Sequence, residues 1–525
     1  MKTKHAKLAV ALTTMVSLAA ITACGNSGGA GSSNQGGNAN QNSTSATPSG
    51  STQTLNIGLS ADPPTLDPAL SSALVDRQVM FNLYDTLFQL EPNNTIGADL
   101  VQSYQISNGG KTYTFHLHPG VTFTDGTPFD AAAVKFNLQR DMAPASARHS
   151  SLSLIQAIET PDSATVVIHL KQPFSPLLAI LAGRAGMMVS PAAVQKEGSN
   201  FASQPVGTGP FEFKDRVKGD HITLIRNPHY WNGEPKLAQV TYKIFTDPNV
   251  ELANLESGAV QMIDTVPPQQ LASMQSNANY TVVNKVGLGY QGFYLNVSQP
   301  PFNNPYLRQA VNLAINRQTL VNVVVKGEAQ PGYSPFSSAS PVYNAQEDTP
   351  PPVDAAKVKQ LLQQGGKPNG FSFTMQAANS PITLQMVQII QSMLSQFGIK
   401  MKIDQLEFGT LLANNENHAF QASQLGWSGR LDPDQDIYSF FVSGGPLNAS
   451  NYSNSQVDHL LNLAREQTNM ADRAITYAKV MDLLHKDAPY VFLFHQNNTF
   501  AYSNQVQGFQ YYSDGVIRVD GLSLQ

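Results

Sequence analysis

The chain has almost no thiol chemistry to offer, because its single cysteine is Cys24. One cysteine excludes an internal disulfide framework and a thiolate-built metal centre, and once Cys24 is modified no cysteine nucleophile remains. Charge is sparse too, at 13% of residues with a formal net charge of −5 over 525 positions. No dense Lys/Arg run occurs beyond the N-terminal segment, so the electrostatic footprint of a nucleic-acid partner is missing. The N-terminal apolar run is too short and too alanine-rich for the roughly 20 strongly hydrophobic residues of a spanning helix. Ser-x-x-Lys and His-Glu-x-x-His do not occur, and the acidic residues show no spacing that singles out an acid/base pair. The expectation is a protein held together by packing, with no catalytic role, no cofactor and no metal.

What is present begins at the N-terminus. Lys2, Lys4 and Lys7 form a positive start, Leu8 to Ala20 a short apolar run, and Thr22-Ala23 the small residues before Cys24. This is the layout of a lipoprotein signal peptide over residues 1–23, with Cys24 as the lipid attachment point. Each buried methylene contributes about 0.8 kcal/mol, so two or three acyl chains anchor stably where one does not. The alternative is an ordinary secretory signal with a chance cysteine. Residues 24–54 are almost entirely Gly, Ser, Asn, Gln, Thr and Ala, too polar to fold, and read as a flexible linker reaching on the order of 30 Å. The expected location is extracytoplasmic, tethered to the cell membrane in a periplasm or on the outer face of the cytoplasmic membrane.

The remaining length far exceeds the roughly 250–300 residues at which a single core stops growing, so more than one lobe is expected. Thr112 to His118 alternates as a half-buried strand. Further strands are read at Thr165–Leu170, Ile222–Arg226, Val240–Phe245, Phe293–Val297, Phe371–Gln376 and Tyr490–Phe494. Asn304 and Pro305 open a helix with an apolar stripe through Leu307, Ala310, Val311, Ala314 and Ile315, ending near Gly327. Pro381–Phe397 reads as a helix stopped by Gly398, and the alternation of Ile399, Met401 and Ile403 makes an α/β unit with it. A strand at Ala422–Trp427 runs into the polar loop Ser428-Gly429-Arg430-Leu431-Asp432-Pro433-Asp434, the position past a strand's carboxyl end where open α/β sheets bind ligands.

Several motif matches fail on context. Gly25-Asn26-Ser27-Gly28-Gly29 mimics a nucleophile elbow but lies in the linker. Gly287-Leu288-Gly289-Tyr290-Gln291-Gly292 has the dinucleotide glycine spacing but leads into a strand, where a pyrophosphate needs a helix N-terminus. Gly207-Thr208-Gly209-Pro210 lacks an amide donor at its proline and reads as a tight turn. His116 and His118 share a strand face without an identifiable third ligand. The binding signals lie elsewhere. Trp427 at a strand end offers a flat cover for a ligand, Arg430 a fork for a carboxylate, and Asp432, Asp434 and Asp436 carboxylates for an ammonium group. The alternative is that Arg430 pairs with one of these aspartates and Trp427 fills a core.

Five blocks, in order, resemble one family. They are Asp62-Pro63-Pro64-Thr65-Leu66-Asp67-Pro68; Leu117 to Phe129 with its Asp125-Gly126-Thr127-Pro128 turn; Gly207 to Phe211 followed by Arg226-Asn227-Pro228-His229-Tyr230-Trp231; Leu307 to Ile315; and Gly426-Trp427. The chain resembles the peptide/nickel class (family 5) of extracytoplasmic solute-binding proteins of ABC importers, which includes dipeptide-, oligopeptide- and glutathione-binding proteins. The resemblance implies an α/β, two-lobed periplasmic-binding-protein fold of class II, of the large peptide-binding type. Lobe I would comprise 55–291 plus 490–525, with an extra subdomain at about 89–201, and lobe II 292–489. It implies a monomer that closes on a peptide-like solute and presents it to an ABC permease. Gly426, Trp427 and Ser428 match the backbone positions that pair with the ligand main chain in relatives. Arg430 stands where peptide-binding relatives carry an ammonium-holding aspartate, so a free amine needs Asp432 or Asp434 to swing in, whereas an anionic ligand fits directly. Leu74, Val75 and Asp76 are expected on the opposing wall. Receptors for a nickel-type metal chelate, or for an opine or acidic sugar conjugate, are alternatives within the fold, and a secreted hydrolase or adhesin one outside that role.

Overall fold

The computed structural model describes residues 53–525, so the signal segment, Cys24 and all but the last two linker residues lie outside the described residues. Helices and strands intermix around a 12-stranded sheet. From one edge the strands run Lys400–Leu406, Ser372–Ala378, Ala422–Gln424, Gln291–Leu295, Tyr490–Ser503, Met262–Ile263, Thr54–Leu59, Gln239–Ile244, His221–Arg226 and Phe211–Val217. Tyr280–Val286 and Ala329–Pro331 also pair with Tyr490–Ser503.

That 14-residue strand, Tyr490–Ser503, joins the two halves of the sheet. Its first part is antiparallel to Gln291–Leu295 and Ala329–Pro331, and its second to Tyr280–Val286 and Met262–Ile263. The apolar side chains divide accordingly. Phe293, Leu307, Val387, Met401 and Val491 belong to one core, and Leu55, Ile57, Val79, Val240 and Phe500 to another. Close approach explains the glycines around the crossing. A Cβ on Gly292 would sit 2.3 Å from the Tyr490 ring, and one on Gly289 2.4 Å from the Trp427 carbonyl oxygen. The dinucleotide-like spacing is thus a packing requirement.

A four-stranded antiparallel sheet, built from Val101–Ser107, Thr112–Leu117, Thr165–Leu170 and Ile155–Glu159, has its own core around Phe115, Phe123, Val166 and Leu177. His116 is exposed on it, and His118 stacks on Trp231 at 4.9 Å. The C-terminal segment returns to the first helix, Leu74–Met80. The Gln78 side chain donates to Gly515 O and accepts from Ile517 N, both at 2.8 Å.

Most elements follow their capping signals. Asn304 accepts from Tyr306 N and Ser380 from Thr383 N, opening helices Pro305–Leu313 and Pro381–Ser395. The stripe expected to run unbroken to Gly327 is two helices. Asn316 takes an extended conformation and caps Arg317–Val324 afresh by accepting from Thr319 N. Among the described residues no helix is long and apolar enough to cross a membrane.

Candidate functional site

A cavity of about 290 Å³ opens between the segment Ser72–Leu74 and the end of the Ala422–Gln424 strand. Gly426, Trp427 and Ser428 line it, joined by Gln291, Tyr294 and Phe408. Its volume lies at the lower end of small-ligand sites, roughly 300–1,000 Å³. Trp427 and Tyr290 exchange both backbone hydrogen bonds, each at 2.9 Å. By strand alternation the backbone groups of Gly426 and Ser428 then face the other edge. Among the described residues neither has a backbone–backbone hydrogen bond, so an extended ligand finds donors and acceptors there. Glycine at 426 is sterically required, since a Cβ would meet Gln291 Oε1 and Tyr290 O at 2.6 Å.

The loop after Trp427 is organised by a residue with a structural task, Asp436. Its Oδ1 accepts from Trp427 Nε1 at 2.9 Å and from Arg430 N at 2.8 Å. Trp427 is half-buried, edge-on to Phe440 at 4.9 Å, with the Arg430 guanidinium 4.3 Å from its ring. Asp432 is gripped in two-pronged fashion by Arg473, at 2.9 and 2.6 Å, and Asp434 by Arg465, at 2.7 and 2.9 Å. Both carboxylates are thus neutralised by buried arginines, and neither lines the cavity. The ammonium-holding swing predicted for them has no free carboxylate to use.

Arg430 is the reverse case. It is buried, but its guanidinium donates only to Ser428 Oγ, at 3.0 Å, and to Gly429 O, and it has no ion-pair partner among the described residues. The alternative pairing with a nearby aspartate is not formed. On the opposing wall Leu74 lines the cavity, whereas Val75 and Asp76 are buried behind it. Asp76 accepts from Ser71 Oγ at 2.7 Å and Ala73 N at 3.3 Å, fixing the segment that faces Trp427. Burial raises its carboxyl above the usual range, against the opposing pull of Arg184.

Three more arginines gather here. Arg184 donates to Ala73 O, Arg148 to Ser71 O at 3.0 Å, and Arg77 to Asp514 Oδ2 at 2.5 Å. Burial works against the charge on Arg184, and the charges of Arg430, Arg148 and Arg77 work against it further. Arg430 is likewise disfavoured by burial and then by Arg77. Guanidinium basicity is high enough that these groups keep their protons. The Nε atoms of Arg77, Arg148 and Arg184, and Asp436 Oδ2, are buried without a hydrogen-bond partner. Sequence reasoning missed Arg77, Arg148 and Arg184. The available signal was an arginine in stretches otherwise poor in charge, as in Ala143-Pro-Ala-Ser-Ala-Arg148 and Leu181-Ala-Gly-Arg184-Ala-Gly.

Residues 95–448 match the model of the bacterial extracellular solute-binding proteins, family 5. The chain belongs to this family. It is 35% identical over 477 residues to the glutathione-binding protein GsiB of Salmonella paratyphi A, covering 88% of this chain and 92% of that one. Among solved structures it is similar to the ABC transporter-associated periplasmic binding protein DppA from Helicobacter pylori in complex with the peptide STSA. That match has a TM-score of 0.84 and 29% identity, covering 90% of this chain and 98% of that one. It is also similar to the periplasmic binding protein AgaA in complex with agropinic acid from A. tumefaciens R10, with a TM-score of 0.84, 27% identity and coverage of 90% and 99%. The chain therefore has the two-lobed α/β fold of family 5, and these relatives are binding proteins. As a family 5 member it is an extracellular solute-binding protein, and the cavity beside Gly426–Ser428 is its candidate solute site.

Proposed function

We propose that this protein is the capture component of an ABC importer. It takes a small peptide-like solute into the cavity between Ser72–Leu74 and Gly426–Ser428 and hands it to a membrane permease without chemical change. The observation that carries this reading is the unpaired backbone of Gly426 and Ser428 beside Trp427, on the wall of a mostly apolar cavity. An extended ligand main chain adds there as a further strand, with Trp427 and Leu74 covering its side chains. The small volume favours a ligand of a few residues over a long oligopeptide.

The lobes proposed are 55–291 with 490–525, including the subdomain at about 89–201, and 292–489. They would hinge about the Tyr290 and Tyr490–Ser503 crossing. Contacts from one side to the other support a closed arrangement: Ser175 N donates to Arg465 O at 3.0 Å, and Gln172 Nε2 to Glu466 Oε1 at 2.8 Å. Cys24 carries the lipid anchor, which keeps a monomeric receptor within reach of its permease. Calorimetric titration with glutathione, Ser-Thr-Ser-Ala and agropinic acid tests the reading. Binding of at least one at about micromolar affinity, abolished by Gly426→Val, is the expected result. Equal binding by wild type and Gly426→Val would place the ligand elsewhere.

A further inference from the structure

We infer that the solute is an anion whose carboxylate seats among Arg77, Arg148, Arg184 and Arg430, which do not line the cavity themselves but gather directly behind its lining residues Ala73 and Ser428. The inference rests on the reading of this cavity as the solute site. Arg184 and Arg148 each spend a donor on the carbonyls of Ala73 and Ser71, and Ala73 lines the cavity. Arg430 spends one on Ser428 Oγ, and Ser428 lines the cavity from the other side. None of these three arginines is in an ion pair among the described residues.

The buried arginines that reach the loop from two later helices, Ser455–Glu466 and Met470–Asp487, are a contrast. Arg465 and Arg473 are each matched one-to-one with an aspartate in two-pronged geometry. Only Arg77 of the cluster has an ion-pair partner, reaching the Asp514 carboxylate through one nitrogen and sharing it with Arg518. Arg184 and Arg430 are buried and Arg148 half-buried, and although Asp76, Asp436 and Asp141 act on them through space, no carboxylate is in ion-pair contact with any of the three among the described residues; with the Nε donors of Arg77, Arg148 and Arg184 also unused, the cluster is costly unless an anion arrives to accept from it. Asp436, which acts on Arg430 through space, has one oxygen committed to Trp427 Nε1 and Arg430 N and makes no ion-pair contact with the guanidinium. A ligand carboxylate supplies what the chain leaves out, and it does so from both walls at once. Arg148 and Arg184 hold one wall and Arg430 the other, so the same anion that is recognised also ties the walls together.

The test is a thermal-shift and calorimetric series at constant ionic strength. Malonate, a bare dicarboxylate probe, should stabilise the wild-type protein saturably, and its affinity should fall at least about tenfold in Arg184→Gln and Arg430→Gln. Both variants should melt, without probe, no lower than wild type, because each relieves repulsion among like charges. A variant-free arm compares glutathione with its diethyl ester. Tighter binding of the acid by about tenfold or more supports the inference. No saturable response to malonate, an equal response in the variants, or lowered melting of both probe-free variants would overturn it. Equal binding of acid and ester in the cavity would overturn it while leaving the solute-site reading intact. Malonate binding with no response to either glutathione form would leave the anion seat standing and count against the peptide-like reading.

Discussion

At the scale of single residues, two kinds of arginine surround the loop after Trp427. Arg465 and Arg473 hold Asp434 and Asp432 in buried two-pronged pairs, and removing one partner strands a charge. Asp432→Asn should therefore cost about 3–5 kcal/mol in denaturant unfolding while leaving the shape of the cavity unchanged in the surviving folded protein. A loss under 1 kcal/mol would show that Arg473 finds another partner. Asp514 sets a pH limit. Burial pushes its carboxyl up, but the charges of Arg518 and Arg77 outweigh burial and hold it at about 2. Because the folded value lies below the ordinary one, the stabilisation is fully present above about pH 4 and is lost as pH falls toward 2, an effect of roughly 2 kcal/mol. Asp514→Asn should flatten that part of the pH–stability curve, as read from melting temperatures between pH 4.5 and 2.5. An unchanged acid limb would assign the loss to other carboxylates.

At the scale of elements, the strand Tyr490–Ser503 ties the molecule together and was only half legible. Its first residues, Tyr490-Val-Phe-Leu-Phe494, announce a buried strand through an unbroken apolar run. The continuation His495-Gln-Asn-Asn-Thr499 has the composition of a loop, and it is a strand because Ala329–Pro331 pairs with His495 and Gln496 and Tyr280–Val286 with the residues from Asn497 on. No local signal carries that pairing. Caps and glycine stops fared better, since Asn304, Ser380 and Gly398 act locally and their side chains or positive φ are visible letter by letter. The site divides the same way. Gly426, Trp427, Ser428 and Leu74 were legible as a block motif and a weaker alignment, and all four line the cavity. Arg77, Arg148 and Arg184 come together from three separate segments, which spacing cannot reveal. The crossing itself is testable. Gly292→Ala places a Cβ 2.3 Å from the Tyr490 ring and 2.4 Å from Val491 O. Overpacking of this kind costs about 1–3 kcal/mol, and a variant as stable as wild type in urea would show that the strands slide apart freely.

At the scale of the whole molecule, a family 5 fold and a cavity at the meeting of two walls describe a solute receptor, which the lipid anchor proposed at Cys24 would tether. Cys24→Ser should move the protein from the membrane fraction to the soluble one with its melting temperature unchanged. Retention on washed membranes would remove the anchor from the account. The central claim is that the cavity beside Trp427 captures a small solute, and mass decides it most directly. The protein is equilibrated with a small-molecule extract of peptides and acids, desalted, and weighed by native mass spectrometry beside Gly426→Val. The account predicts one retained solute per chain, on the order of a few hundred daltons, acidic, and absent from the variant. No retained mass, or the same mass on both proteins, would contradict it.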